Sequence, residues 1–379
     1  MRHHALASLG YLTIVSYGAW FYGFGVLLDD IVASTGWRES HVVAVASVSA
    51  LLAGAASLVA GRALDRLGSR TVFAIGIAGS GVLALSAGAQ DLFSFAAAAI
   101  LGGGLLGATG HYHTTLATAA GLHPLKAARA ISIVTLYGAF SSTLMLPLGG
   151  VLTDRFGWRP ALVVYSALAA TGYIWAVFAA DARPTAHVES APLRWTPLVA
   201  TAVAANLLGS AGYGTIGVYQ VPIMVALGMS LPLASTLAGV RGVAQFVGRL
   251  PTDPIVGRFG SRRALAAANT LIALGAVLLF WAGSTGPALG FAVVAGLGIG
   301  AFSPLSGIFA YEVAGPGKVG TLMGMQAAAA GVGLAAGPFG AATLVDLVGD
   351  RRASIPLAMV LLVLAAAVLW NSKRFELET

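Results

Sequence analysis

The chain has 379 residues, of which 58% are hydrophobic and only 9% charged, with a net charge of +7 and no cysteine. Soluble domains carry about 25% charged residues, so a soluble globule is excluded. Disorder, which needs low hydrophobicity and high charge, is excluded with it. Without cysteine there is no disulfide, thiolate metal site or thiol chemistry.

Apolar runs of about 20 residues, the length that crosses a bilayer as a helix, divide the chain into twelve. They cover 8–28, 42–60, 71–89, 93–119, 130–152 and 160–180, then 197–226, 232–250, 264–283, 287–310, 320–345 and 354–371. The first run is too long for a cleavable signal and ends at Asp29 and Asp30, so it reads as a span. Fifty glycines suit helices that pack closely in lipid. With the N-terminus inside, the cytoplasmic segments hold fifteen Lys and Arg and the outer ones five. That bias places both termini in the cytoplasm of a multi-pass inner-membrane protein. It accounts for the positive charge without a nucleic-acid partner.

The polar stretch from Asp181 to Pro197 lies at the midpoint. It divides the chain into an N-terminal six-helix bundle (1–181), a cytoplasmic linker (182–196) and a C-terminal six-helix bundle (197–379). The halves look like repeats. Arg-x-Gly-Ser-Arg at 66–70 recurs at 258–262, and the stretch from Pro147 to Gly157 corresponds to that from Pro338 to Gly349. The expected fold is therefore all-α, with twelve transmembrane helices in two pseudo-symmetric bundles and a site between repeats.

Between spans two and three the pattern Gly61-x-x-x-Asp65-Arg66-x-Gly68-x-Arg70 closely resembles the signature of the major facilitator superfamily, with a degenerate copy at Arg258, Gly260 and Arg262. The resemblance covers essentially the whole chain and implies a gate. Glycines permit close approach and tight turning. Asp65 would bond a helix end or a nearby Arg, and Arg66 and Arg70 would hold the inner side closed. Residues 24–42 and 218–250 resemble the monocarboxylate transporters and oxalate/formate antiporters in particular.

Arg241 falls within span eight, where a cation costs at least about 2.5–3.5 kcal/mol. All fourteen Asp and Glu fall in loops or near span ends, which points the guanidinium to an anionic ligand. Its planar fork suits a carboxylate. In the two families that the chain resembles, an Arg of this span binds the substrate carboxylate, and Arg241, eight residues before Arg249, matches it. Monocarboxylate carriers place an acid one turn earlier, where this chain has Leu237. The oxalate/formate type adds a Lys in span eleven, where the polar side chain here is Gln326. One fixed charge favours a monoanion over a dianion.

His111 and His113 in span four are candidates for carrying a coupled proton, since imidazole titrates near neutrality. Two positions apart on a helix means about 200°, so at most one of them faces a cavity squarely, and His113 is preferred. Tyr17 leads an aromatic stripe with Trp20, Phe21 and Phe24 in span one. Tyr137 with Ser141 in span five, and Tyr213, Tyr219 and Gln220 in span seven, are further candidates for contact with substrate. Gly296-x-Gly298-x-Gly300 reads as helix packing, since no strand precedes it.

The expectation is a monomeric secondary transporter of a small organic monoanion, working by rocker-switch alternating access without a cofactor or metal. The alternative is efflux of an amphiphilic drug or metabolite. A membrane enzyme is disfavoured: nothing orders a Ser and His as nucleophile and base, and His-Glu-x-x-His is absent.

Overall fold

The computed structural model describes residues 3–182, 193–315 and 318–372. Most of the expected linker, together with Arg2, Arg183, Lys373 and Arg374 of the charge count, lies outside the described residues. All regular structure among the described residues is helical. Helices answer the demand of hydrocarbon, because every backbone polar group finds its partner within the segment.

Six helical stretches come first: α1 His3–Thr35, α2 Glu39–Leu67, α3 Ser69–Ser86, α4 Leu92–Leu122, α5 Ala127–Phe156 and α6 Trp158–Ala179. Then come α7 Pro197–Ala226, α8 Leu231–Arg249, α9 Thr252–Phe259, α10 Ser261–Trp281, α11 Thr285–Ala314, α12 Val319–Val348 and α13 Ser354–Asn371. The count departs from twelve because α9, only 8 residues long, folds in the loop before the second Gly-Ser-Arg. Ten of the helices are long and apolar enough to cross a membrane. The other two long ones, α7 of 30 residues and α8 of 19, are not among these ten, and α8 is the less apolar of the two. These are the helices that carry Asn206, Tyr213, Gln220, Arg241 and Gln245.

The chain divides into two compact units. The first comprises Met1–His187 and Ser230–Gly239, and the second Val188–Met229 and Val240–Thr379. In the first, α1 is the most enclosed of the six long helices, with 78% of an apolar 18-residue stretch buried. The first turns of α8 lie on α5 in this unit. The Thr143 hydroxyl donates to the Gly239 carbonyl at 3.0 Å, and Gly150 leaves room for Ser235. In the second unit α7 is buried almost without interruption from Gly209 to Met224. Its neighbour α12 presents Gly333 and Gly337 to the backbone of Leu207 and Ala211, so close that a β-carbon at either would overlap it. Such contacts replace the hydrophobic drive that lipid removes.

Asp30 of α1 ties the first unit at one end. Its carboxylate accepts from the Trp158 backbone N–H at 2.6 Å, capping α6, and the Trp158 indole donates to Ser34 at 2.9 Å. Arg159 stacks over the Trp158 ring at 4.5 Å and donates to the carbonyls of Ala87 and Ala89 just beyond α3.

Candidate functional site

In the second unit Arg241 is fully buried, one of the largest side chains with no exposed surface. Its place on α8 is set by α11. Gly296 faces the Arg241 backbone and Ala244, and Gly300 faces the Gln245 backbone, so α8 and α11 lie nearly in backbone contact. Gly298 turns to the other side, against Ala268 and Ile272 of α10. The glycine run is thus a packing device, and its product is the position of Arg241. The guanidinium carbon lies 5.8 Å from the Tyr213 ring centroid on α7, a cation–π distance.

One turn beyond Arg241 on the same face is Gln245. It is 3% exposed, and its amide nitrogen has no hydrogen-bond partner among the described residues. A buried donor in that state makes Gln245 a candidate to donate to a ligand. In the sequence the signal for Gln245 is its spacing of four from Arg241. Tyr219 and Gln220 are both fully buried on α7. Gln220 donates to the Gly217 carbonyl at 3.2 Å, and its amide oxygen accepts no bond among the described residues. Gln326 of α12 is turned onto α7, with its amide 3.4 Å from the Ala202 carbonyl.

In the first unit Tyr17 opens a π-helical turn, Tyr17–Tyr22, in the middle of α1. Single wide turns of this kind re-aim side chains and are frequent at functional sites. The turn splits the aromatic stripe. Trp20 and Phe24 join Phe95 in the core, whereas Tyr17 and Phe21 face His111. Tyr17 and His111 are stacked with centroids 3.8 Å apart and planes 6° from parallel.

His111 is also where α4 breaks, in extended conformation between Gly110 and Tyr112. A break leaves carbonyls before it and N–H groups after it without helical partners. Side chains supply them. The Ala108 carbonyl lies 3.0 Å from His113 Nε2 and accepts from Thr114 Oγ1 at 2.8 Å. The Gly110 carbonyl accepts from Ser16 at 2.9 Å, and the Tyr112 N–H reaches the Tyr17 hydroxyl at 3.5 Å. The structure therefore brings His111 to the aromatic cluster and occupies His113 with its own backbone. Positions two apart fall about 200° apart only within a regular helix, and the helix is interrupted at His111 itself. Tyr137 packs against Gly10, about two turns along α1 from Tyr17, and its neighbour Ser141 donates to the Ile14 carbonyl at 2.7 Å.

The repeated loops share a backbone and differ in partners. Gly68 and Gly260 end their helices at φ of 81° and 78°, a region that favours glycine. Ser69 then bonds the carbonyls of Ala180 and Ala182, and Arg70 pairs with Asp181 at 3.4 Å on the surface. In the second loop Ser261 bonds the Glu312 carboxylate, and the buried Arg262 reaches the Ser372 hydroxyl at 3.3 Å. Arg258 lies over the Phe259 ring. Arg66 is exposed, Asp65 makes no ion pair among the described residues, and Gly61 has open space where a β-carbon would stand. No group of three His, Asp or Glu able to hold a metal is found among the described residues.

The family profile of the Major Facilitator Superfamily matches residues 9–206 and, a second time, residues 199–376. No curated protein matches the sequence. A crystal structure of the nucleoside transporter NupG, in a mutant form, is similar over 97% of this chain and 100% of its own, with a TM-score of 0.79 and 14% identity.

Proposed function

Because the chain belongs to the major facilitator superfamily, we propose that it moves a small organic monoanion, a monocarboxylate-like solute, across the cytoplasmic membrane by rocker-switch alternating access. The family makes it a multi-pass membrane transporter of small solutes rather than an enzyme. The likeness to a nucleoside transporter is one of fold, and it brings no substrate with it. In the proposal α7 and α8 also cross the bilayer, giving six-helix bundles at 1–181 and 197–379 joined by 182–196, with both termini in the cytoplasm. The protein works as a monomer.

The observation that supports the substrate class is the complete burial of Arg241 on a helix of reduced hydropathy, with Tyr213 beside it and Gln245 one turn away. A guanidinium held there binds a carboxylate by two parallel charge-assisted bonds. Gln245 supplies a neutral donor, with Tyr213, Tyr219 and Gln326 as further contacts for the solute. In the first unit Tyr17, Tyr137 and His113 are candidate contacts, and His111, stacked on Tyr17, is the candidate for carrying a coupled proton.

A thermal-shift screen of small carboxylates identifies the substrate, since a ligand of the folded state raises its stability. Uptake of that ligand into proteoliposomes then tests the role of Arg241. Loss of a charged hydrogen-bond partner costs about 1.5–3 kcal/mol, so Arg241→Ala should weaken binding by roughly ten- to a hundred-fold. Uptake unchanged in Arg241→Ala, with export of amphiphilic drugs retained, would overturn the monoanion reading in favour of efflux.

A further inference from the structure

We propose that an anionic phospholipid occupies the groove between α10 and α13 of the second unit, with its phosphate on Arg263 and one acyl chain along the small residues of both helices. The groove has a volume of about 660 Å³. Ala266, Ala267 and Thr270 form one wall and Ala366 and Ala367 the other.

Three observations converge on a lipid. The first is where the groove lies. Both walls belong to helices long and apolar enough to cross a membrane, and Leu274 and Trp370 on its flanks are each 57% exposed. An exposed apolar surface on such helices meets hydrocarbon. The second is polarity along its length. Arg263 is the third residue of α10 and Asn371 the last of α13, so the charged, amide and indole groups gather at one end. A cation beside an exposed Trp is the pattern of the headgroup level. Arg263 has no ion-pair or hydrogen-bond partner among the described residues, which leaves its fork available for a phosphodiester. The third is length. From Arg263 to Leu274 the helix rises about 16 Å at 1.5 Å per residue, close to half of the roughly 30 Å hydrocarbon core. That is the reach of one acyl chain in one leaflet. A soluble phosphate would use the Arg263 end and leave the apolar length unexplained.

Trp370 provides a local reporter. Protein reconstituted in zwitterionic phosphatidylcholine is titrated with phosphatidylglycerol or phosphatidylcholine carrying bromine on the acyl chains, which quenches nearby indoles. Subtraction of the Trp370→Phe variant isolates the signal of Trp370. One basic residue at the surface changes lipid affinity by about five-fold. Brominated phosphatidylglycerol should therefore quench Trp370 at about one-fifth the mole fraction needed for the zwitterionic lipid. Arg263→Gln should bring the two lipids level, and Arg263→Lys should retain the preference. Ala267→Phe, which fills the trough without touching charge, should weaken quenching by both, and it keeps the test decisive where Arg263→Gln does not fold. Equal quenching by the two lipids in the unaltered protein, or a preference that survives Arg263→Gln, would overturn the proposal. Displacement by soluble glycerol phosphate would reassign the site to a free phosphate. Loss of quenching as protein is concentrated in the bilayer would reassign the groove to a second copy of the chain.

Discussion

Tyr17 and His111 lie face to face, 3.8 Å between ring centroids, each at an irregularity in its own helix. A pair of this kind is worth about 0.5–1.5 kcal/mol beyond its buried area, and it fixes the imidazole against the π turn. If His111 carries the coupled proton, uptake by the unaltered protein depends on pH. In His111→Gln that variation should disappear while some downhill transport remains. His113→Gln should keep the pH dependence. The opposite outcome would return the proton to His113.

Gln245 separates a ligand-binding role from a structural one. Removing an unsatisfied buried donor is neutral or slightly stabilising, whereas removing a satisfied one costs about 1 kcal/mol. Gln245→Ala should leave the melting temperature without substrate unchanged or raised, and it should lower substrate affinity several-fold. A lowered melting temperature with unaltered affinity would make Gln245 a structural residue.

Gly300 tests how finely α8 is placed. A β-carbon there would overlap the Gln245 backbone, and backbone gives way poorly. Gly300→Ala should therefore cost about 1–3 kcal/mol as an overpacking substitution and depress uptake through displacement of α8. Gly320→Ala, where nothing lies within 4 Å, is the control and should behave as the unaltered protein.

Asp30 holds two helices by one carboxylate. Its loss removes the cap of α6, at a cost of about 0.5–2 kcal/mol. Asp30→Ala should lower the melting temperature in detergent, and Asp30→Asn, whose amide oxygen still accepts, should recover much of it. Equal stability of all three proteins would show the cap to be dispensable.

Acid should loosen the start of α4. The Asp91 carboxylate accepts from the Ser94 backbone and hydroxyl, and these bonds hold its pKa below the ordinary 3.8. A folded-state pKa below the unfolded one means the stabilisation is complete above about 3.8 and is lost as pH falls through the lower value. Amide exchange at Ser94, referred to its intrinsic rate, should accelerate across that acid range in the unaltered protein. It should do so no further in Asp91→Asn.

The family and the repeated loop were legible because they rest on residues whose physics is local. Positions 68 and 260 favour glycine because the chain turns there with positive φ, and ten of the spans follow from length and hydropathy alone. Arg241 stood out because charge is costly in a span. The features that tertiary packing creates were not legible. No residue in Tyr17–Tyr22 announces a π turn, and the break at His111 follows neither a proline nor a conspicuous polar run. The choice between His111 and His113 consequently turned on a regularity that α4 does not have. Gln245 was missed because a lone Gln on an otherwise apolar helix carries little signal until its partners are counted. The glycine run 296–300 was read correctly as packing, yet its consequence for Arg241 needed three helices at once.

The interruption of α4 has a mechanical meaning. A gap in a helix is commonly taken for a hinge, but at His111 the freed carbonyls and N–H groups are held by Ser16, His113, Thr114 and Tyr17. Bending there would strip those bonds. The joint is therefore closer to a rivet than to a hinge: the backbone changes course at His111 while side chains from α1 and α4 pin it on both sides.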